Sequence, residues 1–476
     1  MPPAPAHRTR PQQLTALGLS LLLIAWLPIS FALPAVASPV PGGPLAVGGP
    51  GFGISGAPII WDNTAPIQYR VDPGPMAVNP SGTTVINNAN GITRVNSMFA
   101  TWSAVTTASL SISNAGTLLP SGAYTGGPVA GSNGLANYNA LTASCDHGEQ
   151  SPVVFDPNGA LFSQLGLPSG VIGFAGPCAF DTASGHTRTG HVALNGVFQD
   201  GVSNSSDFEL TANLFNQAIT HEIGHFLGLD HSQINVDVLN QTPLSCNANE
   251  VAGLPIMFPF IFCQDRVTSG LPALSPDDTA WISRLYPVTA AASGKTPTSS
   301  AYGTISGTVF FSDGLTGAQG VNVIARSTAN PSGVAFSAVS GYLFTGKLGQ
   351  SVTCAISVSE CNDAAASSFG SRDTRFVGTF DIPVTPGTYS IQAESINSNF
   401  TGGSSVGPLD IPIPMPGTAP SAQTVTISAG ASVIANITLQ NTPSRFDSFE
   451  SSELILRDSL SPWLRRDQFL PGAVAR

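Results

Sequence analysis

The sequence predicts two folded parts in succession, an α+β domain over residues 61–287 and an all-β sandwich over residues 301–442. Three observations carry this reading. A chain of 476 residues is longer than one ordinary domain. Residues 288–300 are rich in Ala, Ser, Thr and Gly, the composition of a linker. After the linker, short runs of alternating apolar residues lie between Gly, Pro and Asp turns, as antiparallel strands require; before it, the chemically richest segment has its histidines at helical spacing.

Taken in order, the chain opens with Arg8 and Arg10, an apolar run from Leu14 to Leu33, and Ala35-Val36-Ala37 ahead of Ser38. That succession has the form of a secretory signal peptide over residues 1–37. The run approaches the length of a membrane span, but Pro28, Pro34 and the small-residue site favour cleavage over an uncleaved anchor. Cleavage would remove two arginines and no acid, moving the net charge from −11 to −13. Such a charge argues against nucleic acid or an anionic membrane as partner. Charged residues make up 9% of the chain, against about 25% in ordinary domains, so Gly, Ser, Thr and Asn carry the solubility, as in many exported β-rich proteins. The expected location is secreted, extracellular or periplasmic, without a stable membrane anchor. Residues 38–60, rich in Pro and Gly, read as a lead-in.

The segment His221-Glu222-Ile223-Gly224-His225-Phe226-Leu227-Gly228-Leu229-Asp230-His231 reads H-E-x-x-H-x-x-G-x-x-H. On a helix His221 and His225 project from one face and can share a metal, while Glu222 is rotated aside and free to act as a base toward a metal-bound water. Gly228 can adopt a backbone conformation closed to other residues, ending the helix and returning the chain so that His231 becomes a third ligand. Three protein ligands leave zinc's fourth position open, the arrangement of a catalytic site. The expectation is one catalytic Zn2+ held by His221, His225 and His231, with Glu222 as the catalytic residue.

These eleven residues resemble the zinc-binding signature of the metzincin proteases, and Ser232 directly after His231 resembles the matrixin branch. Pro255-Ile256-Met257-Phe258-Pro259 is similar to the Met-turn, with Met257 as the methionine beneath the imidazoles; no tyrosine follows it in that turn. Leu274-Ser275-Pro276-Asp277-Asp278, with Ile282 and Leu285-Tyr286, resembles the final helix of matrixin catalytic domains. Ile67–Val71 resembles the family's first strand, and Phe99–Thr106 the end of its first long helix and the turn beyond. The resemblance covers Trp61 to Tyr286. It implies a twisted, mostly parallel sheet with an antiparallel edge strand, plus long helices.

By the same resemblance the edge strand is Val171-Ile172-Gly173-Phe174-Ala175, against which a protein or peptide substrate would lie antiparallel as an added strand. Phe258, Pro259 and Phe260 would help to wall a pocket for the residue just after the cleaved bond. Those walls carry no charge, so a large hydrophobic side chain is expected there. Matrixins carry a second, structural zinc, but Gly173 and Ala193 stand where its histidines would be expected, and His147, His186 and His191 then read as solvated loop histidines. Phe155-Asp156-Pro157-Asn158-Gly159 resembles a calcium-loop fragment and is equally turn chemistry, so Ca2+ at Asp156 stays open. Asp277 and Asp278 read as N-terminal helix residues favoured by the helix dipole. No cysteine precedes Cys145, so the thiol-based latency of the family has no counterpart.

The second part shows strand-like runs at Ile305–Phe311, Val321–Ala325, Gly378–Ile382, Tyr389–Ala393 and Val433–Leu439. The runs Ile305-Ser306-Gly307-Thr308-Val309 and Val384-Thr385-Pro386-Gly387-Thr388-Tyr389 resemble carboxypeptidase regulatory-like domains, which are transthyretin-type β-sandwiches without chemistry of their own. The tail, residues 443–476, holds ten charged residues and has no assignable role. An even cysteine count in an exported chain favours disulfides, and proximity suggests Cys145–Cys178, Cys246–Cys263 and Cys354–Cys361, although six cysteines allow fifteen connectivities. The resulting expectation is a secreted zinc endopeptidase cleaving extracellular proteins by Glu-assisted attack of water. The alternative, from another class, is an inactive zinc-stabilised binding or adhesion protein. Low charge and the lost structural-zinc positions motivate that alternative; the intact Glu222 and three ligands weigh against it.

Overall fold

Residues 60–287 build a mixed α/β layer structure around one five-stranded sheet. In a computed structural model of the chain, the described residues are 46–47, 57–58, 60–142, 150–180, 186–203, 208–229, 231–232, 234, 248–258, 261, 263, 265–318, 321–340, 378–395 and 415–442. The expected signal peptide and the charged tail lie outside them. The sheet comprises β1 (Ile67–Val71), β2 (Ile112–Thr117), β3 (Pro152–Asp156), β4 (Gly173–Phe180) and β5 (Thr187–Asn195), in the order β2-β1-β3-β5-β4. β1 runs parallel to β2 and β3, β3 parallel to β5, and β4 antiparallel to β5 at the edge. Every residue of β3 is buried, as an apolar run in the middle of a parallel sheet covered on both faces must be.

Four helices matter to the site: α1 (Asn88–Ser103), α2 (Gly134–Thr142), α3 (Ala212–Phe226) and α4 (Pro276–Leu285). α1 starts at Asn87, whose side chain accepts from the Asn90 amide, and it buries Gly91, Val95, Phe99 and Trp102, one stripe at helical period. That stripe faces α3: Trp102 Nε1 donates to Thr220 O at 2.9 Å, and Phe99 meets Phe226 edge-on at 5.5 Å. Thr211 caps α3 through Leu214, and Ser275 with Asp278 closes a capping box on α4, with Pro276 at its first turn.

Beyond residue 300 two further sheets face one another. One joins β6 (Gly303–Phe310), β9 (Thr379–Val384), β12 (Ser432–Ile434) and β13 (Ile437–Thr438); the other runs β8 (Ala335–Val339), β7 (Val321–Ser327), β10 (Gly387–Ser395), β11 (Gln423–Ile427). Ile305, Val309, Val323, Phe336, Phe380, Ile382, Tyr389 and Ile391 fill the space between them. The purely antiparallel sandwich expected from the sequence needs correcting, because β12 and β13 run parallel to β6. The run Val433–Leu439 is likewise two short strands rather than one. At the break the Asn436 side chain accepts the Thr308 amide in place of a backbone carbonyl, and Ala435 O passes so close to Gly307 that a Cβ there would lie 2.6 Å away.

Both parts belong to one compact unit, Ala37–Arg476. The stretch 288–300, expected as a linker, is tied down on the first part. Lys295 Nζ donates to Ser103 O, Val105 O and Ala108 O at 2.7–3.0 Å, placing a cation at the carbonyl end of α1, and Thr298 Oγ1 donates to Thr107 O. Across the junction Arg284 pairs with Asp381 at 2.8 Å. Among the described residues no helix is long and apolar enough to cross a membrane.

Candidate metal centre

Helix α3 delivers two of the three imidazoles, and its end delivers the third. Leu227 closes the helix and Gly228 follows at φ +97°, a left-handed conformation that a side chain would strain. Gly228 N donates to His225 O and Leu229 N to Gly224 O, the paired bonds of a Schellman cap. The chain thereby reverses and brings His231 under the helix. Two carbonyls left over at this end find partners from opposite ends of the domain: Trp61 Nε1 donates to Phe226 O at 2.7 Å and Tyr286 Oη to Leu227 O at 2.7 Å.

The three rings converge on one point. His225 Nε2 lies 3.1 Å from His221 Nε2 and 3.1 Å from His231 Nε2. Two ligands of a tetrahedral zinc, each about 2.0–2.1 Å from the ion, stand about 3.3 Å apart, so this spacing fits a shared cation. His221 Nδ1 sits 2.7 Å from Ile256 O and His225 Nδ1 2.8 Å from Leu229 O, which places the ring proton on Nδ1 and leaves the Nε2 lone pairs facing inward. Burial pushes His221 down to about 4 and His225 down to about 3, the latter helped by its neighbour His221, so both are neutral at pH 7, as ligands must be. His221, His225 and His231 are the group among the described residues that could hold a metal ion. No family model matches the chain, and no curated protein matches it.

Glu222 is 2% exposed, and among the described residues its Oε2 has no hydrogen-bond partner. Burial holds its carboxyl well above the usual range. It packs on Gly173 at the start of the edge strand, where a Cβ would lie 2.8 Å from Glu222 Cγ. The room for the acid, rather than a missing ligand, is therefore what glycine provides at this position. The edge strand itself begins at Gly173 and runs to Phe180, so the expected span Val171–Ala175 needs correcting: Val171 and Ile172 precede it. Asn195, the last residue of β5, holds those two residues by donating from Nδ2 to Val171 O and from its amide to Ile172 O. The side chains of Phe174 and Ala175 are buried.

Met257 is fully buried beneath α3, close enough to Gly224 that a Cβ there would collide with Met257 Sδ. Its turn is fixed by Asp278, whose two oxygens accept from Ile256 N at 2.8 Å, Met257 N at 3.1 Å and Ser275 N at 2.7 Å. Asp278 is a helix-start residue as expected, and it has this second role that helical position alone does not reveal. The available signal was an acid at the third helical position of a capping box, where one oxygen suffices for the cap and the other is left over. Phe258 is buried; Pro259 and Phe260 lie outside the described residues.

The remaining candidates fall elsewhere. His191 is not a solvated loop residue: it lies in β5 with Tyr138 and Phe174 edge-on to it, and burial lowers it to about 4. His186 is partly exposed, and His147 lies outside the described residues. Asp156 ends β3 fully buried, its Oδ2 accepting from Phe162 N at 2.8 Å at the start of the one-turn helix Ala160–Gln164. Cys178 and Cys263 are disulfide-bonded; Cys145, Cys246, Cys354 and Cys361 lie outside the described residues.

Proposed function

We propose that the chain is a zinc endopeptidase of the metzincin type, matrixin-like in its first part, exported from the cell and acting on protein substrates. The observation that carries this reading is the convergence of three buried imidazoles, His225 Nε2 lying 3.1 Å from the Nε2 of each of the other two, beside the buried Glu222, whose Oε2 has no hydrogen-bond partner among the described residues. The mostly parallel sheet with its antiparallel edge strand next to Glu222 supports it, as does the buried methionine turn under α3.

His221, His225 and His231 would hold the ion, which when bound supplies a Lewis acid for the scissile carbonyl and lowers the pKa of water. Glu222 accepts a proton from the attacking water and hands it to the leaving amine. For that it must be ionised, and the positive charge of the occupied site opposes the desolvation that otherwise raises it. β4 offers its outer backbone edge to an extended peptide, whose bonds to it are indifferent to side-chain identity. The test is a purified Glu222→Ala variant on casein with metal analysis of both proteins. We expect about one zinc per chain in each, with proteolysis lost only in the variant. Wild-type cleavage by Glu222→Ala overturns the mechanism, and a wild type without zinc overturns the site.

A further inference from the structure

The sandwich packs against the loop that carries the third imidazole. β8 is the last strand of its sheet, so the outward backbone groups of an edge strand need partners. At Ser337 the first part supplies them: Ser337 N donates to Asp277 Oδ1 at 3.1 Å, and Trp281 Nε1 donates to Ser337 O at 3.1 Å, both from α4. The Ser337 hydroxyl lies 3.5 Å from the hydroxyl of Ser232, the residue that follows His231. Ser232 N in turn donates to Met257 O at 2.8 Å, joining the loop of the third imidazole to the methionine turn. Two residues further on, Ile234 is buried in a cluster of its own with Ile324 of β7 and Ala335 of β8. The backbone on either side of Ser232 is thus held on one side by the first part and on the other by the sandwich.

We propose that β8, through Ser337, Asp277 and the Ile234–Ile324–Ala335 cluster, is a positioning element that fixes His231, so that the second domain sets metal affinity. The inference rests on the zinc reading above. Groups that hold metal ligands in place without touching the ion typically change affinity about 10–100-fold when lost. None of the residues invoked touches the site where the ion would bind.

The experiment uses the intact chain and two readouts other than proteolysis: zinc retention against a competing chelator, and the visible absorption of the Co2+-substituted protein, which reports ligand geometry. Asp277→Ala and Ile324→Ala are compared with Asp277→Asn, which keeps an acceptor for Ser337 N, and with Ile305→Val, which loosens the opposite sheet of the sandwich. We expect Asp277→Ala and Ile324→Ala to retain zinc at least about tenfold more weakly with an altered Co2+ spectrum. Asp277→Asn should restore most of both, and Ile305→Val should leave both unchanged. Should Ile324→Ala not fold, Ile324→Val takes its place with a smaller shift in the same direction. Equal metal affinity and spectra in wild type, Asp277→Ala and the Ile324 variant overturn the proposal while leaving the endopeptidase reading intact. An equal loss in Ile305→Val assigns the effect to global stability and also overturns it. A wild type that binds neither metal removes the endopeptidase reading, and this inference with it.

Discussion

Gly173 shows how one residue of the edge strand conditions the acid next to it. A methyl group there would stand 2.8 Å from Glu222 Cγ and 3.1 Å from Ala193 O, and the backbone oxygen cannot yield. Gly173→Ala should therefore cost about 1–3 kcal/mol of stability by overpacking and displace the Glu222 carboxylate. A misplacement of about 1 Å in a general base lowers kcat on the order of a hundredfold, with KM little changed, because β4 still presents its outer edge. Thermal unfolding and steady-state kinetics on one peptide read both effects; an unaltered kcat would mean that Glu222 is not the base. At this scale the sequence was most informative where chemistry imposes spacing. His221, His225 and His231 meet as their i, i+4 and post-glycine positions imply, and Gly228 adopts the positive φ that the turn needs. It was least informative for Asp278 and Ser337, whose partners lie 21–22 and 60 residues away in the chain, a separation that no local pattern encodes.

Among elements, α3 was legible in its C-terminal turns, where the histidines and Gly228 lie, and its two ends do different work. Its C-terminal cap builds the site, whereas the N-terminal cap at Thr211 lies three turns from the nearest ligand. Thr211→Ala leaves the Leu214 amide without its acceptor and should lower stability by about 1 kcal/mol, with zinc content unchanged. Denaturant unfolding beside metal analysis checks this; zinc loss on that substitution would show the whole helix, rather than its C-terminal turns, to be marginal. Two of the strands that escaped the sequence, β8 and β3, share a physical cause. β8 is buried at all five positions, because one face meets the opposite sheet and its edge meets α4, so it lacks the alternation by which half-buried strands are recognised. β3 is continuous in burial for a related reason, as a central parallel strand. The short β12 and β13 were read as one strand because their apolar spacing continues through Asn436, whose side chain stands in for the ladder.

For the whole molecule the low charge has a consequence for acid response. Asp72 directly follows β1 and Asp156 ends the neighbouring β3, and burial pushes each up to about 6, with Asp156 adding to the rise at Asp72. Backbone amides of Gly74, Val129 and Phe155 around Asp72, and of Phe162 at Asp156, oppose the shift without cancelling it. Both folded-state values exceed the ordinary value near 3.8, so the folded chain binds more protons than the unfolded one between about pH 4 and pH 6. The stability these groups contribute is fully present below about pH 4 and is lost as pH rises through about 6. A shift of about two pKa units corresponds to at most about 3 kcal/mol per group, and the pair delivers less than twice that because part of the rise at Asp72 comes from Asp156. Other carboxylates follow their own trends, so the quantity to measure is the difference between wild type and Asp156→Asn in chemical denaturation from pH 4.5 to 7.5. Wild type should lose ground against the variant from the low end of that range, most steeply near pH 5, and the difference should level off above about pH 7. A difference that stays flat, or that moves in favour of wild type as pH rises, would show that the amides around Asp72 and Asp156 outweigh burial and hold both groups ionised.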